Sequence, residues 1–160
     1  MIWKVTKMTE QTMEYAREVG VIPEVISSME EAGWENGIEG FMATSDLQRV
    51  AEYIDQYLPE IYYVNSEPGC VDIMASGVSK WRGIKILAES LNIAHEDILT
   101  VGNYYNDIDM LQHAGVGIAV ANSLPEVKDV ADFVTEYDNN HDAVAEIISK
   151  MLHHEYDMTK

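Results

Sequence analysis

The chain has 160 residues, ordinary apolar content at 47%, a formal net charge of -18 and one cysteine, Cys70. A chain this acidic repels phosphate backbones and anionic lipid surfaces, which argues against nucleic-acid and membrane binding; a lone cysteine allows no intrachain disulfide and fits a reducing cytoplasm. No apolar run is long enough to span a bilayer, and Met1-Ile2-Trp3-Lys4 leads into polar residues rather than a secretory leader.

The first predicted helix runs from Thr9, as N-cap, to Val19, with Gly20 as its stop. A second helix is predicted over Pro23 to Ala32, with proline in its first turn and Gly33 after it. Gly37 to Ala43 reads as a strand. Ser45 or Asp46 then caps a helix to about Leu58, with Leu47, Val50, Ala51, Ile54 and Leu58 on one face. Ile61 to Val64 and Cys70 to Met74 are strands separated by the turn signal Ser66-Glu67-Pro68-Gly69, so a hairpin is expected.

The pattern changes after Gly77. Ser79-Lys80 opens a helix with Ile84, Leu87, Ala88 and Leu91 on one face. Short apolar strands at Asp97 to Val101, Val116 to Val120 and Asp132 to Val134 alternate with helices at Tyr105 to Ala114, Leu124 to Val130 and Asp142 to Leu152. This alternation predicts an α/β fold with a parallel sheet, preceded by an α+β segment. The expected boundaries are an α+β module over 1–76, an α/β unit over 77–152 and a flexible tail over 153–160.

The segment with chemical content is Val101-Gly102-Asn103-Tyr104-Tyr105-Asn106-Asp107-Ile108-Asp109-Met110. It lies where a buried strand ends and a helix begins, and open parallel sheets bind ligands beyond those strand ends. Asn103, Asn106 and Asp107 supply oxygen donors of the kind that suit Mg²⁺, and the neighbouring helix start favours an anion. On its own such a run is only turn and cap chemistry.

The surroundings add weight. Gly77-Val78-Ser79-Lys80 lies upstream. Ala114-Gly115-Val116-Gly117-Ile118-Ala119-Val120-Ala121-Asn122, Glu126-Val127-Lys128 and Ala131-Asp132-Phe133-Val134-Thr135 follow. In order and spacing this resembles the Cof-type, class IIB branch of the haloacid dehalogenase (HAD) superfamily, whose members show GVSKG, GDxxNDxxML, AGxGxAMxNA, EVK and AD-[YF]-VT. The match covers Ser76 to Leu152. The resemblance implies a Mg²⁺-dependent phosphatase of phosphate monoesters, of the sugar-phosphate type, with a partial HAD-like Rossmannoid core behind a remnant of an α/β cap. It assigns Lys80 and Asp107 catalytic roles, Lys80 and Asn106 to the phosphoryl group, and Asn103 and Asp107 to the metal. Asn122 is placed at the edge of the same crevice. Trp34 and Trp81 read as packing aromatics rather than substrate stackers.

The chain departs from the family pattern twice. Asn103 stands where the family has an aspartate, so a metal ligand has lost its charge and weak or absent Mg²⁺ binding is expected. No DxDGT-like nucleophile motif occurs in the sequence. Losing a covalent nucleophile costs about a million-fold in rate, so the chain is expected to be inactive alone, or to be a non-catalytic interaction module or truncated remnant. The strand at Asp97 to Val101 would then have an uncovered edge, which predicts a homodimer or higher oligomer. The expected ligand is a small phosphorylated metabolite.

Overall fold

A computed structural model describes residues 3–33, 37 and 39–156. Strand β1 (Lys4–Val5), helix α1 (Glu10–Val19) and strand β2 (Glu24–Val25) come first, and β1 and β2 pair in parallel. Thr9 caps α1 as expected: its hydroxyl oxygen accepts the Thr12 N–H at 3.1 Å, and Gly20 closes the helix in the left-handed region at φ 69°. The helix expected over Pro23 to Ala32 does not form. Glu24 N–H donates to the Trp3 carbonyl at 2.8 Å and Ile26 N–H to Val5 at 2.9 Å, so a neighbouring strand claims the backbone. Only Met29–Ala32 makes a short 3-10 turn. Ile26 is buried, and that tertiary gain overrides the local helical pattern.

Next come β3 (Phe41–Ala43), α2 (Leu47–Tyr57), β4 (Ile61–Glu67) and β5 (Cys70–Ala75), with the strands antiparallel in the order β3-β5-β4. The strand expected from Gly37 is shorter at its start, and residue 38 lies outside the described residues, as does Trp34. The predicted hairpin is present, turning through Gly69 at φ 80°. Its side chains alternate between two faces. Tyr63 points its hydroxyl to Asp55 on α2, at 3.1 Å from Oδ2. Tyr62 and Val64, with their cross-strand partners Met74 and Asp72, therefore lie on the other face.

The second half contains α3 (Lys80–Leu91), β6 (Leu99–Gly102), α4 (Ile108–His113), β7 (Val116–Ala119), α5 (Pro125–Val130), β8 (Phe133–Val134) and α6 (Ala143–Leu152). Strands β6, β7 and β8 form a parallel sheet in that order. Every residue of the central β7 is buried, as expected for a parallel strand covered on both faces. Val116 and Ile118 pack with Ile147 of α6, while Ala119 packs with Leu111 of α4 and Val127 of α5. A Cβ on Gly117 would lie 2.1 Å from the Leu111 carbonyl oxygen, so α4 reaches the strand only because this residue has no side chain.

Two expectations fail here. Trp81 and the partly buried Ile84 of α3 pack with Met110 and Ala114, and Ala88 is buried, whereas Leu87 and Leu91 are more than half exposed. Helical period identifies an apolar stripe but not the neighbour it meets. The tail expected from His153 is tied down at Tyr156, which is buried with its ring centroid 4.8 Å from that of Phe133. Residues 157–160 lie outside the described residues.

Candidate active site

The site is built around the end of β6. Gly102 is its last residue, and a Cβ there would stand 2.4 Å from the Cβ of Asp107. Glycine thus lets the following turn fold Asp107 back beneath the strand. Asp107 Oδ2 accepts the backbone N–H groups of Asn103 at 2.8 Å and Tyr104 at 3.1 Å. Its Oδ1 accepts the Lys80 ammonium at 2.5 Å. The Asp107 side chain is 4% exposed and that of Lys80 is 50% exposed, so a buried carboxylate holds a cation whose other side faces the cleft.

Lys80 is delivered by the start of α3. Ser79 caps that helix by accepting Arg82 N–H at 3.1 Å, and its hydroxyl donates to Asp109 Oδ2 at 2.5 Å. Asp109 Oδ1 also faces His113 Nδ1 at 3.1 Å. Behind the turn, the buried Ser123 hydroxyl donates to the Gly102 carbonyl at 3.2 Å, and Lys128 Nζ donates to the Ala121 carbonyl at 2.5 Å. The first bond ties the loop after β7 to the end of β6, and the second ties that loop to α5.

Lys80, Asn106 and Asp109 line a cleft of about 560 Å³ whose opposite wall is the free face of the hairpin, including Tyr62, Asp72 and Met74. Asn106 Oδ1 is buried and has no hydrogen-bond partner. An orphaned acceptor of this kind costs free energy unless a ligand donor meets it. Burial raises the Tyr62 phenol above its ordinary range, and the charge of Asp109 adds to this.

The structure brings Lys80, Asn106 and Asp107 together as the sequence predicts. Both Asp107 carboxylate oxygens accept hydrogen bonds, Oδ1 from Lys80 and Oδ2 from two backbone N–H groups. Asn103 lies beside them, exposed, and contributes its backbone N–H. Asn122 is turned away: its amide donates to Asn139 Oδ1 at 2.6 Å. Trp81 is buried against Met110 and Ala114, a packing residue. Of the two asparagines beside this pair, Asn103 offers an uncharged amide and Asn106 Oδ1 is buried. Among the described residues no group of three or more His, Cys, Asp or Glu is placed to hold a metal. The residues of this chain therefore do not by themselves fit Mg²⁺, a cation that is bound through carboxylates. Sequence reasoning missed Ser79, Ser123, Asp72 and Tyr62. Ser79 had a detectable signal as the residue before a helix start; the others had none.

A parallel sheet with helices on both faces and a lysine–aspartate pair at its strand ends defines an α/β protein with a ligand site where such sheets place one. The chain belongs to the haloacid dehalogenase-like hydrolases, whose family model matches residues 5–148. It is 35% identical over 108 residues to Bacillus subtilis YxeH, whose name marks it as a candidate phosphatase; the match covers 67% of this chain and 40% of that protein. It is 34% identical to the Bacillus subtilis 5-amino-6-(5-phospho-D-ribitylamino)uracil phosphatase YcsE over 56% of this chain and 35% of that one. Among solved structures, the HAD subclass IIB sugar phosphatase BT4131 superposes with a TM-score of 0.75 at 25% identity, over 92% of this chain and 54% of that one. The chain thus spans about two fifths or less of these curated relatives and about half of the solved structure. No helix among the described residues is long and apolar enough to cross a membrane.

Proposed function

We propose that this chain carries the phosphoryl-binding side of a phosphate-monoester phosphatase of the sugar-phosphate type, and that it does not turn over substrate alone. The observation that carries this reading is the Lys80 ammonium, held by Asp107 and half exposed to the cleft. A cation fixed in that way stabilises negative charge as a phosphoryl group is transferred, without reorganising during the reaction. Asn106 lines the same cleft, and its amide NH₂ is the group that could donate to a phosphoryl oxygen. Asp107 is a positioning residue in this account. In the family chemistry an aspartate attacks phosphorus, its C–O–P bond forms as the leaving alkoxide departs, and water then releases phosphate. The 160 residues contain no DxDGT-like motif to supply that aspartate. Magnesium dependence belongs in this proposal to a complete active site, with carboxylates other than those of this chain. The name of YcsE specifies a phosphorylated ribityl chain, which supports a small phosphorylated metabolite as the ligand.

The test is para-nitrophenyl phosphate hydrolysis with Mg²⁺, alongside calorimetric titration with inorganic phosphate. No turnover is expected, with phosphate binding that Lys80→Ala abolishes. Phosphate binding indifferent to Lys80→Ala would overturn the site. Turnover lost in Lys80→Ala would overturn only the claim of inactivity.

A second reading, self-association as an interaction module, is favoured by the outward apolar residues. Leu87 and Leu91 on α3, and Val144, Ile148 and Leu152 on α6, are all more than half exposed. Strand β6 is an edge strand of its sheet. A second copy pairing at this edge or its flanking face would cover backbone groups that are otherwise open to unplanned pairing.

A further inference from the structure

Three successive residues at the start of α3 each meet a different residue of the segment that follows β6. Lys80 binds Asp107. Ser79, one before it, donates its hydroxyl to Asp109 Oδ2 at 2.5 Å. Trp81, one after it, stacks on His113 with ring centroids 5.8 Å apart and an interplanar angle of 21°. His113 in turn holds Asp109: its Nδ1 lies 3.1 Å from Oδ1 and 2.8 Å from the Asp109 carbonyl oxygen. Asp109 therefore closes a bridge between the first turns of α3 and α4, beside the lysine–aspartate pair of the phosphoryl site.

The bridge bears on Lys80 through Ser79. A serine hydroxyl has one proton and two lone pairs. With the proton given to Asp109, a lone pair is left for Arg82 N–H at 3.1 Å, the cap bond of α3. One acceptor thus fixes the cap, and the cap fixes the backbone from which Lys80 projects. Lys80 needs such a root, because its side chain is half exposed, flexible, and loses rotamer freedom when held. Asp109 is also unfavourable where it stands. It lines the cleft with Ser79 and Lys80, its side chain is 43% exposed, and a carboxylate there repels a phosphate anion. We propose that Asp109 is a positioning residue for phosphate capture: acting through Ser79, it sets the direction of the Lys80 ammonium, and that gain exceeds the repulsion of its own charge. The inference rests on the phosphoryl site proposed above and deepens it. A carboxylate in the first turn of α4 stabilises that helix whatever it does for Lys80, so stability alone does not separate the two roles.

The experiment is calorimetric titration of the full chain and its variants with inorganic phosphate, at a temperature where circular dichroism shows each one folded. Asp109→Ala and Ser79→Gly should each weaken binding about 10-fold, the worth of one hydrogen bond. Glycine is itself a fair helix cap, so Ser79→Gly keeps the start of α3 and removes only the hydroxyl, and it serves as the test if Asp109→Ala does not fold. The double variant should lose no more than about 10-fold, because both changes remove the same bond. Asp109→Asn keeps an acceptor for Ser79 and removes the charge, and His113 is exposed enough to turn away from the new NH₂. Its binding should stay within about 2-fold of wild type or tighten. Ser79→Thr, which keeps the hydroxyl, should bind as wild type does. Tighter binding by Asp109→Ala would overturn the proposal, since the residue would then act by charge alone. Unchanged binding by Asp109→Ala and Ser79→Gly, with Lys80→Ala still abolishing it, would overturn the role of Asp109 and leave the phosphoryl site standing. If inorganic phosphate fails to bind the wild-type chain, that site and this inference both fall.

Discussion

Replacing Asp107 by asparagine tests the central arrangement, because the geometry leaves the amide no good orientation. The carboxylate accepts Lys80 through Oδ1 and two backbone N–H groups through Oδ2. An asparagine has one acceptor oxygen. Turned to the backbone, it aims its NH₂ at the Lys80 ammonium; turned to Lys80, it aims that NH₂ at two N–H donors. A hydrogen bond to a charged group contributes about 1.5–3 kcal/mol, and leaving a buried donor unmet costs a similar amount. The ion pair itself adds about 1 kcal/mol at most, since the Lys80 side chain is 50% exposed. Asp107→Asn is therefore expected to lose about 2–4 kcal/mol, nearly as much as Asp107→Ala. Urea unfolding followed by circular dichroism measures this from the midpoint at constant slope. An Asp107→Asn chain within about 0.5 kcal/mol of wild type would refute the reasoning, because that is the range of an ordinary surface substitution.

Gly102→Ala would press a methyl group to 2.4 Å from the Asp107 side chain, so a loss of about 1–3 kcal/mol in the same urea assay is expected, together with weaker phosphate binding. Glu146 concerns pH. Burial pushes its carboxyl up, but the Lys150 ammonium and the N–H groups of Glu136 and Tyr137 outweigh this and leave it below the ordinary value. A depressed carboxyl contributes stability that is present above its unfolded pKa of about 4.3 and is lost as pH falls through the folded value. Melting temperature should therefore drop below about pH 4.3, and Glu146→Gln should show a smaller drop over that interval. Trp81→Ala would empty a site shared with Met110 and Ala114, and a cost of about 3–5 kcal/mol is expected in urea unfolding. Multi-angle light scattering should show a dimer or larger species for the wild-type chain, and a monodisperse monomer would count against self-association through β6.

The alternation of short apolar strands and helices after Gly77 was readable without coordinates, because each strand of a covered parallel sheet must be apolar throughout, and β7 is. Lys80, Asn106 and Asp107 were singled out by the family resemblance of the motifs around them, and Thr9 and Gly20 by cap chemistry, which depends on neighbouring residues alone. Tertiary structure decided what depends on a distant partner. Pro23 to Ala32 carries helix signals, yet β1 claims its backbone. Leu87 fits the apolar stripe of α3 but faces outwards, because the helix packs against α4 through Trp81 and Ile84. Asp107 carried a metal role by resemblance, and no linear pattern pointed to its bond with Lys80. Its clamp on Lys80 became visible only with the turn after Gly102, which folds the carboxylate onto two backbone N–H groups. Asp72 reads as one acid among 28 acidic residues. Its place in one cleft with Lys80 arises from hairpin register and from the packing of β4 against the turn after β6, and a linear pattern encodes neither.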